Sequence, residues 1–567
     1  MKTWARYLLT AAAATVAAFA AYAVAGEETC NLEIKRLESR TSYGPSDYIY
    51  RATSPQMFNA QIGPEGKSRI NFGGQAESAA KFKEIVKKEP KYESDHPFRG
   101  VAKFGTQEFA FALDEAVPES EKKKAESEDK KTESEDKDSK SKDDNAKTDD
   151  KETKSKPAKS LAGSLLSALS SPDQEAEAPK QPKAVGYNRL YFDANHNGDL
   201  TDDKVIEAAA MPNRGLPANF RQFEFPRVDV TIDVAGTPVD YAFFLTGYVN
   251  ASRDFSYADV RINSAAYREG DITLDGKKRH VVLIDFNSNG RFDDEYKISK
   301  NITRSGGQLY PEQGDMLLID PNQGNMGYTS PYEATSNSYQ HYVSKMVDID
   351  GRYYNLKISP AGDKLTLDPA SVPLGKITNP NGRFNAMIYG DNGFLKISGE
   401  KDTPISIPEG QWKLLSYTID LTNAPEPSKP EEKKDEAKKD EAKENSGLLV
   451  LGRVLESLLG NSTPAAPPGR RFTYVTAGAT AKYKPVKVSQ GETVEFPFGP
   501  PYKPLVSVQD IQGGGENKQA SLAMTLVGSV GEVVSDMMVG GGRPPKPEFT
   551  IKDPKGEVVQ SGNFEYG

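Results

Sequence analysis

Most of the chain reads as short runs of three to nine residues that are rich in aromatic and aliphatic side chains and bounded by Gly, Pro, Asn or Asp. Such runs between turn residues are the pattern of strands. Glu108–Asp114, Asn188–Asp193, Trp412–Asp420, Phe472–Val475, Tyr353–Ser359, Lys364–Asp368 and Thr493–Phe496 read this way. Near the end, Phe549–Lys552 and Val558–Gln560 flank Asp553-Pro-Lys-Gly556, the residues of a tight turn. One segment has a helical period. Gln75–Lys88 places Ala79, Phe82 and Val86 on a single helical face, follows Gly73-Gly74 and stops before Pro90.

Short strands at this spacing predict a mainly β chain of several small sandwich- or barrel-like domains with one short N-terminal helix. From 471 to 567 an immunoglobulin- or transthyretin-like sandwich is expected. Two segments break the pattern, 118–184 and 424–470. Residues 119–159 alone hold 14 acidic residues and 13 lysines, so nothing there can build a core and disorder is expected. In the second segment Lys-Asp-Glu-Ala recurs at 434–437 and 439–442. Each tract ends in an apolar piece, Ser160–Leu169 and Ser446–Leu459, with leucines at helical spacing (Leu161, Leu165, Leu169; Leu448, Leu451, Leu455, Leu459). These pieces suit docking to a partner or to the body, or are apolar patches of a linker. Strand-like flanks on both sides place the two tracts at hairpin tips, because loop closure costs rise only slowly with length. The expected division is 1–25, 26–117, 118–184, 185–345, 346–423, 424–470 and 471–567.

The first 25 residues have the tripartite form of a secretory signal: Lys2 and Arg6, an uncharged run from Tyr7, then Ala23-Val24-Ala25. The expected location is the periplasm, the cell surface or the exterior, with no membrane span after cleavage. A single cysteine, Cys30, excludes a disulfide framework and a Cys-based zinc site. With 72 basic against 81 acidic residues the net charge is −9, and no basic stripe offers itself to nucleic acid.

The candidate chemistry lies in two matching segments. Asp193-Ala-Asn195-His-Asn197-Gly198-Asp199-Leu200-Thr-Asp202-Asp203 and Asp285-Phe-Asn287-Ser-Asn289-Gly290-Arg291-Phe292-Asp293-Asp294-Glu295 share the form D-x-N-x-N-G-x-(apolar)-x-D-(acid). Calcium takes six to eight oxygens at ~2.3–2.6 Å from carboxylates, amides and carbonyls. Alternate positions bring three side-chain oxygens round one point, the glycine permits the reversal, and Leu200 or Phe292 anchors the loop to a core. Asn-Gly is equally a hairpin-turn dipeptide, so a plain turn is the alternative. The loops resemble the calcium loops of EF-hands, dockerins and thrombospondin type-3 repeats over about a dozen residues each. The resemblance implies calcium contacts from Asp193, Asn195, Asn197 and the carbonyl of Asp199, and from Asp285, Asn287, Asn289 and the carbonyl of Arg291. Lys204 and Tyr296 stand where an EF-hand has its bidentate glutamate, so Asp202 or Asp203, and Asp293, Asp294 or Glu295, are the expected substitutes. Strands rather than helices lead into both loops, and weak, near-millimolar affinity is expected. Leu318-Ile-Asp320-Pro-Asn322 starts like the others and lacks the continuation.

Catalytic patterns fail. There is no G-x-S-x-G and no H-E-x-x-H, and the four histidines are isolated. Tyr328, Tyr332, Tyr339 and Tyr342 form a Tyr-rich stretch, a packed loop or a stacking surface for sugars. The expectation is an exported, non-catalytic calcium-binding β-rich protein with a protein or cell-surface glycan as partner. The alternatives are a secreted hydrolase or carbohydrate-active enzyme with structural calcium, and an assembly protein docking through the apolar pieces.

Overall fold

The computed structural model describes residues 26–38, 50, 53–62, 75–116, 184, 186–209, 216–251, 256–303, 307–321, 339–422, 473–512 and 519–566. The leader and both charged insertions, with their apolar pieces, lie outside the described residues, as do Tyr328 and Tyr332. Within the described residues the chain is mainly β, in several separate sheets, none closed into a barrel. No helix among them is long and apolar enough to cross a membrane.

Some strands are buried throughout, as Met316–Ile319 is, and others have one buried and one exposed face. In Val228–Val234, Val228, Val230, Ile232 and Val234 are buried while Asp229 and Thr231 face out. Ala235-Gly236 (φ 53° and 86°) then turns the chain into Thr237–Ala251. Asp275-Gly276 (φ 51° and 74°) does the same between Ala266–Leu274 and Lys277–Ile284, the two-residue turn that right-twisted hairpins favour. The one helix among the described residues, α1 (Gln75–Ile85), seats Phe82 against Ala110, Ala112, Tyr191 and Leu200.

Both insertions interrupt adjacent antiparallel strands. Gln107–Asp114 pairs with Arg189–Phe192, Asp114 opposite Arg189. Gly410–Asp420 pairs with Tyr474–Gly478, Asp420 opposite Tyr474. The main core, from Cys30 to Leu367, is shared by four sheets. One of them pairs Glu28–Asn31 with Lys364–Pro369, so the start of the described chain is locked to its middle. Cys30 is buried in that first strand, and burial pushes its thiol up to about 11, which leaves no thiolate at neutral pH.

A second core, centred on the buried Trp412, lies between a three-stranded and an eight-stranded sheet. The eight-stranded sheet draws Arg383–Gly390, Gly393–Gly399 and Gly410–Asp420 from before the second insertion. Tyr474–Gly478, Val486–Val488, Val533–Met538 and the hairpin Lys503–Gln512/Gln519–Val527 come from after it. The C-terminal sandwich is therefore a joint product of both sides. The final hairpin, Glu548–Lys552 with Val558–Asn563, stands as a two-stranded sheet of its own, turned at Gly556 by a bond from its N–H to the Asp553 carbonyl.

Candidate functional site

The two loops have one backbone. His196 and Gly198 (φ 60° and 82°) correspond to Ser288 and Gly290 (φ 59° and 79°). The first aspartate is buried in each case and bridges the reversal. Asp193 Oδ1 accepts from Asn197 N–H at 3.0 Å and Oδ2 from Gly198 N–H at 2.9 Å. Asp285 accepts from Asn289 N–H at 3.1 Å and Gly290 N–H at 2.8 Å in the same way. The fifth-position asparagine then holds the next residue: Asp199 N–H to Asn197 Oδ1 at 2.7 Å, Arg291 N–H to Asn289 Oδ1 at 2.8 Å. The amides of positions three and five converge on the tenth-position carboxylate. Asn195 and Asn197 donate to Asp202 at 3.3 and 2.7 Å, and Asn287 and Asn289 to Asp294 at 3.0 and 2.7 Å. The apolar anchors Leu200 and Phe292 are fully buried.

The structure thus brings together Asp193, Asn195, Asn197 and Asp202, and likewise Asp285, Asn287, Asn289 and Asp294. Other side chains of the loops are engaged elsewhere or exposed. At Asp199, where the backbone carbonyl is the expected contact, the carboxylate takes Thr201 and Lys88, which hold it down at about 2. Asp293 pairs with Arg291, and Glu295 is exposed. Asp203 turns toward the first loop: burial, with Asp193 and Asp202 nearby, raises its carboxyl.

Each loop contains an oxygen that a cation would satisfy. Asp203 Oδ2 and Asn287 Oδ1 are buried without a hydrogen-bond partner, and both belong to the oxygen-donor types calcium prefers. Among the described residues, however, His, Cys, Asp and Glu side chains nowhere gather in threes as a metal site. A cation held here would draw on amide and carbonyl oxygens as well as carboxylates.

The surroundings differ. The first loop is backed by the end of α1: Lys87 N–H donates to the Gly198 carbonyl at 2.8 Å, and Leu200 N–H to the Lys88 carbonyl at 3.1 Å. The second is enclosed. Tyr241 Oη donates to Asp285 Oδ2 at 2.6 Å. Asp315, fully buried, accepts from Phe286 N–H at 3.0 Å and Asp294 N–H at 2.9 Å. Burial pushes the carboxyls of both Asp285 and Asp315 up. Ser288 Oγ donates to the Ser54 carbonyl and accepts from Ser264 N–H, each at 2.9 Å. Asp315 and Tyr241 carry no signal in the sequence, since both sit beside or within ordinary apolar strands. The stretch at Leu318 ends its strand at Ile319, and Asp320 there binds Arg279 at 2.6 Å rather than closing a loop. Of the tyrosine stretch, Tyr342 is packed on Tyr296, ring centroids 4.6 Å apart.

No protein-family model matches the chain, no curated protein is significantly similar to it, and no solved structure is either.

Proposed function

We propose that the chain is an exported calcium-binding β-rich protein whose two D-x-N-x-N-G loops take calcium outside the cytoplasm, in a binding or structural rather than catalytic role. The observation that carries the reading is the set of five hydrogen bonds repeated in two loops 92 positions apart, Asp193 to Asp285. A turn dipeptide alone asks only for Asn-Gly. It does not ask for a buried first aspartate, two converging amides and a tenth-position carboxylate twice over. The orphaned oxygens of Asp203 and Asn287 add to it.

In this reading Asp193, Asn195, Asn197, Asp202 and Asp203 hold one ion, and Asp285, Asn287, Asn289 and Asp294 the other. Calcium supplies positive charge among crowded carboxylates and stabilises the folded state by mass action. The partner this framework presents itself to is a protein or a surface glycan. Calorimetric titration of residues 26–567 tests the reading. Two saturable sites are expected, one lost in Asp202→Asn and the other in Asp294→Asn, with a rise in melting temperature on saturation. Absence of binding at millimolar calcium, with both variants melting like the parent, reduces the loops to turns.

A further inference from the structure

The hairpin Lys503–Gln512/Gln519–Val527 barely joins the sheet it extends. Its second strand meets Val533–Met538 only where Val527 lies opposite Val533. Its register sorts side chains onto two unlike faces. Pro504 lies opposite Leu526, Val506 opposite Met524 and Val508 opposite Leu522, so all six share one wholly apolar face, while the other is mixed, with Lys503, Leu505, Ser507, Ala523, Thr525 and Val527. Val506 and Val508 are 52% and 57% exposed. None of the six belongs to a hydrophobic core cluster of the described residues. A sheet with one apolar face is built to be covered by a second layer.

The path of the chain points to the cover. The second insertion departs after Thr422 and returns at Thr473, and the strand order runs Gly410–Asp420, Tyr474–Gly478, Val533–Met538, Gln519–Val527, Lys503–Gln512. Tyr474 lies opposite Met538 and Gly478 opposite Val533. The tip of the hairpin, at Gln512 and Gln519, is therefore directed to the end of the sheet where the insertion re-enters. Gly540 N–H donates to Thr473 Oγ1 there at 3.1 Å. Leu448, Leu451, Leu455 and Leu459 within the insertion fall three or four residues apart, the spacing of one apolar helical face. From Leu459 to Thr473 the chain spans at most ~50 Å. The hairpin strand is ~33 Å long, so the segment reaches all of it.

We propose that the apolar face of this hairpin is the seat of the chain's own Leu448–Leu459 segment, laid over it as the missing layer. The proposal does not depend on calcium. The test uses the full chain with Met524→Cys combined with Leu451→Cys or with Leu455→Cys, oxidised at low micromolar concentration; Cys30, being buried, is left in place. An intrachain disulfide in at least one pair, independent of protein concentration, is the expected result. Disulfide-linked dimers alone would assign the face to a second copy, and no bond in either pair would leave the segment elsewhere; both overturn the proposal. Hydrogen exchange avoids introduced thiols: in Leu451→Asp/Leu455→Asp the amides of 519–527 should exchange at least tenfold faster than in the parent. Unchanged exchange contradicts the proposal.

Discussion

The two D-x-N-x-N-G loops share five internal hydrogen bonds and part company in their surroundings. The Asp193 carboxylate accepts from two backbone N–H groups of its own loop. Asp285 answers also to Tyr241, and its loop is tied through Asp315 and Ser288 to three further segments of the chain. The shape of such a loop is thus a local property, while its contribution to stability depends on what surrounds it. Backing by the last turn of a helix leaves the first loop's Asn195, Asn197 and Asp202 exposed, whereas strands and turns enclose the second.

The largest expected effect separates the loops at their first residue. Asp285→Ala strips the acceptor from Gly290 N–H, Asn289 N–H and the buried Tyr241 hydroxyl. Unpaired buried donors cost about 1–3 kcal/mol each and do not add fully, so a loss of ~4 kcal/mol is expected. Asp193→Ala orphans two donors, one of them part-buried, and should cost ~2 kcal/mol. Urea unfolding of the calcium-free protein reads both. Equal losses would mean that Tyr241 and the enclosure add nothing, and the comparison would fail.

The next effect reverses the ranking. Both loop glycines have positive φ, so alanine is strained at either. A Cβ on Gly198 would sit 2.5 Å from the Ile85 carbonyl oxygen, fixed backbone at the end of α1. On Gly290 it would meet Ile232 Cδ1 at 2.5 Å, the end of a buried side chain, and its nearest backbone atom, Gly105 N, only at 3.1 Å. Gly198→Ala is therefore expected to cost ~3 kcal/mol and Gly290→Ala ~2 kcal/mol. If the melting temperatures fall in the opposite order, the enclosed loop is the more rigid of the two even at its glycine.

What the residues disclose in advance follows the range of the interactions. Enrichment in aromatic and aliphatic residues between turn residues is a local signal, and it marks Gln107–Asp114, Arg352–Ile358 and Lys364–Pro369 to within a residue or two. The hairpin position of both insertions is legible for the same reason, since their flanks carry strand patterns. The loops are legible because their bonds run between residues a few positions apart. Pairing across the chain leaves no local trace. Nothing in Glu28–Asn31 announces Lys364–Pro369 as its neighbour, and Asp315 sits ahead of the apolar run Met316–Ile319 with no motif around it. Spacing offers the trailing acids as alternatives, and the choice among them falls to the surroundings. Asp202 and Asp294 join their loops, while Asp293 is taken by Arg291 and Glu295 faces solvent.

The smallest expected effect lies at the seventh position, where the loops carry opposite charges. Asp199 binds Thr201 and the exposed Lys88, while its counterpart Arg291 pairs with Asp293. Hydrogen bonds from Thr201, with Lys88 beside it, lower the Asp199 carboxyl to about 2 from an ordinary 3.8. A carboxylate whose pKa is depressed on folding adds stability above its unfolded pKa and loses it as the pH falls through the folded value. In Asp199→Asn the melting temperature should accordingly lie slightly below the parent's from pH 5 to 7, by about one degree for so exposed a pair. The two curves should converge between pH 4 and 2. A gap that persists at pH 2 would assign the cost of the substitution to the loop's shape rather than to its charge, and the seventh position would then join the residues on which the loops agree.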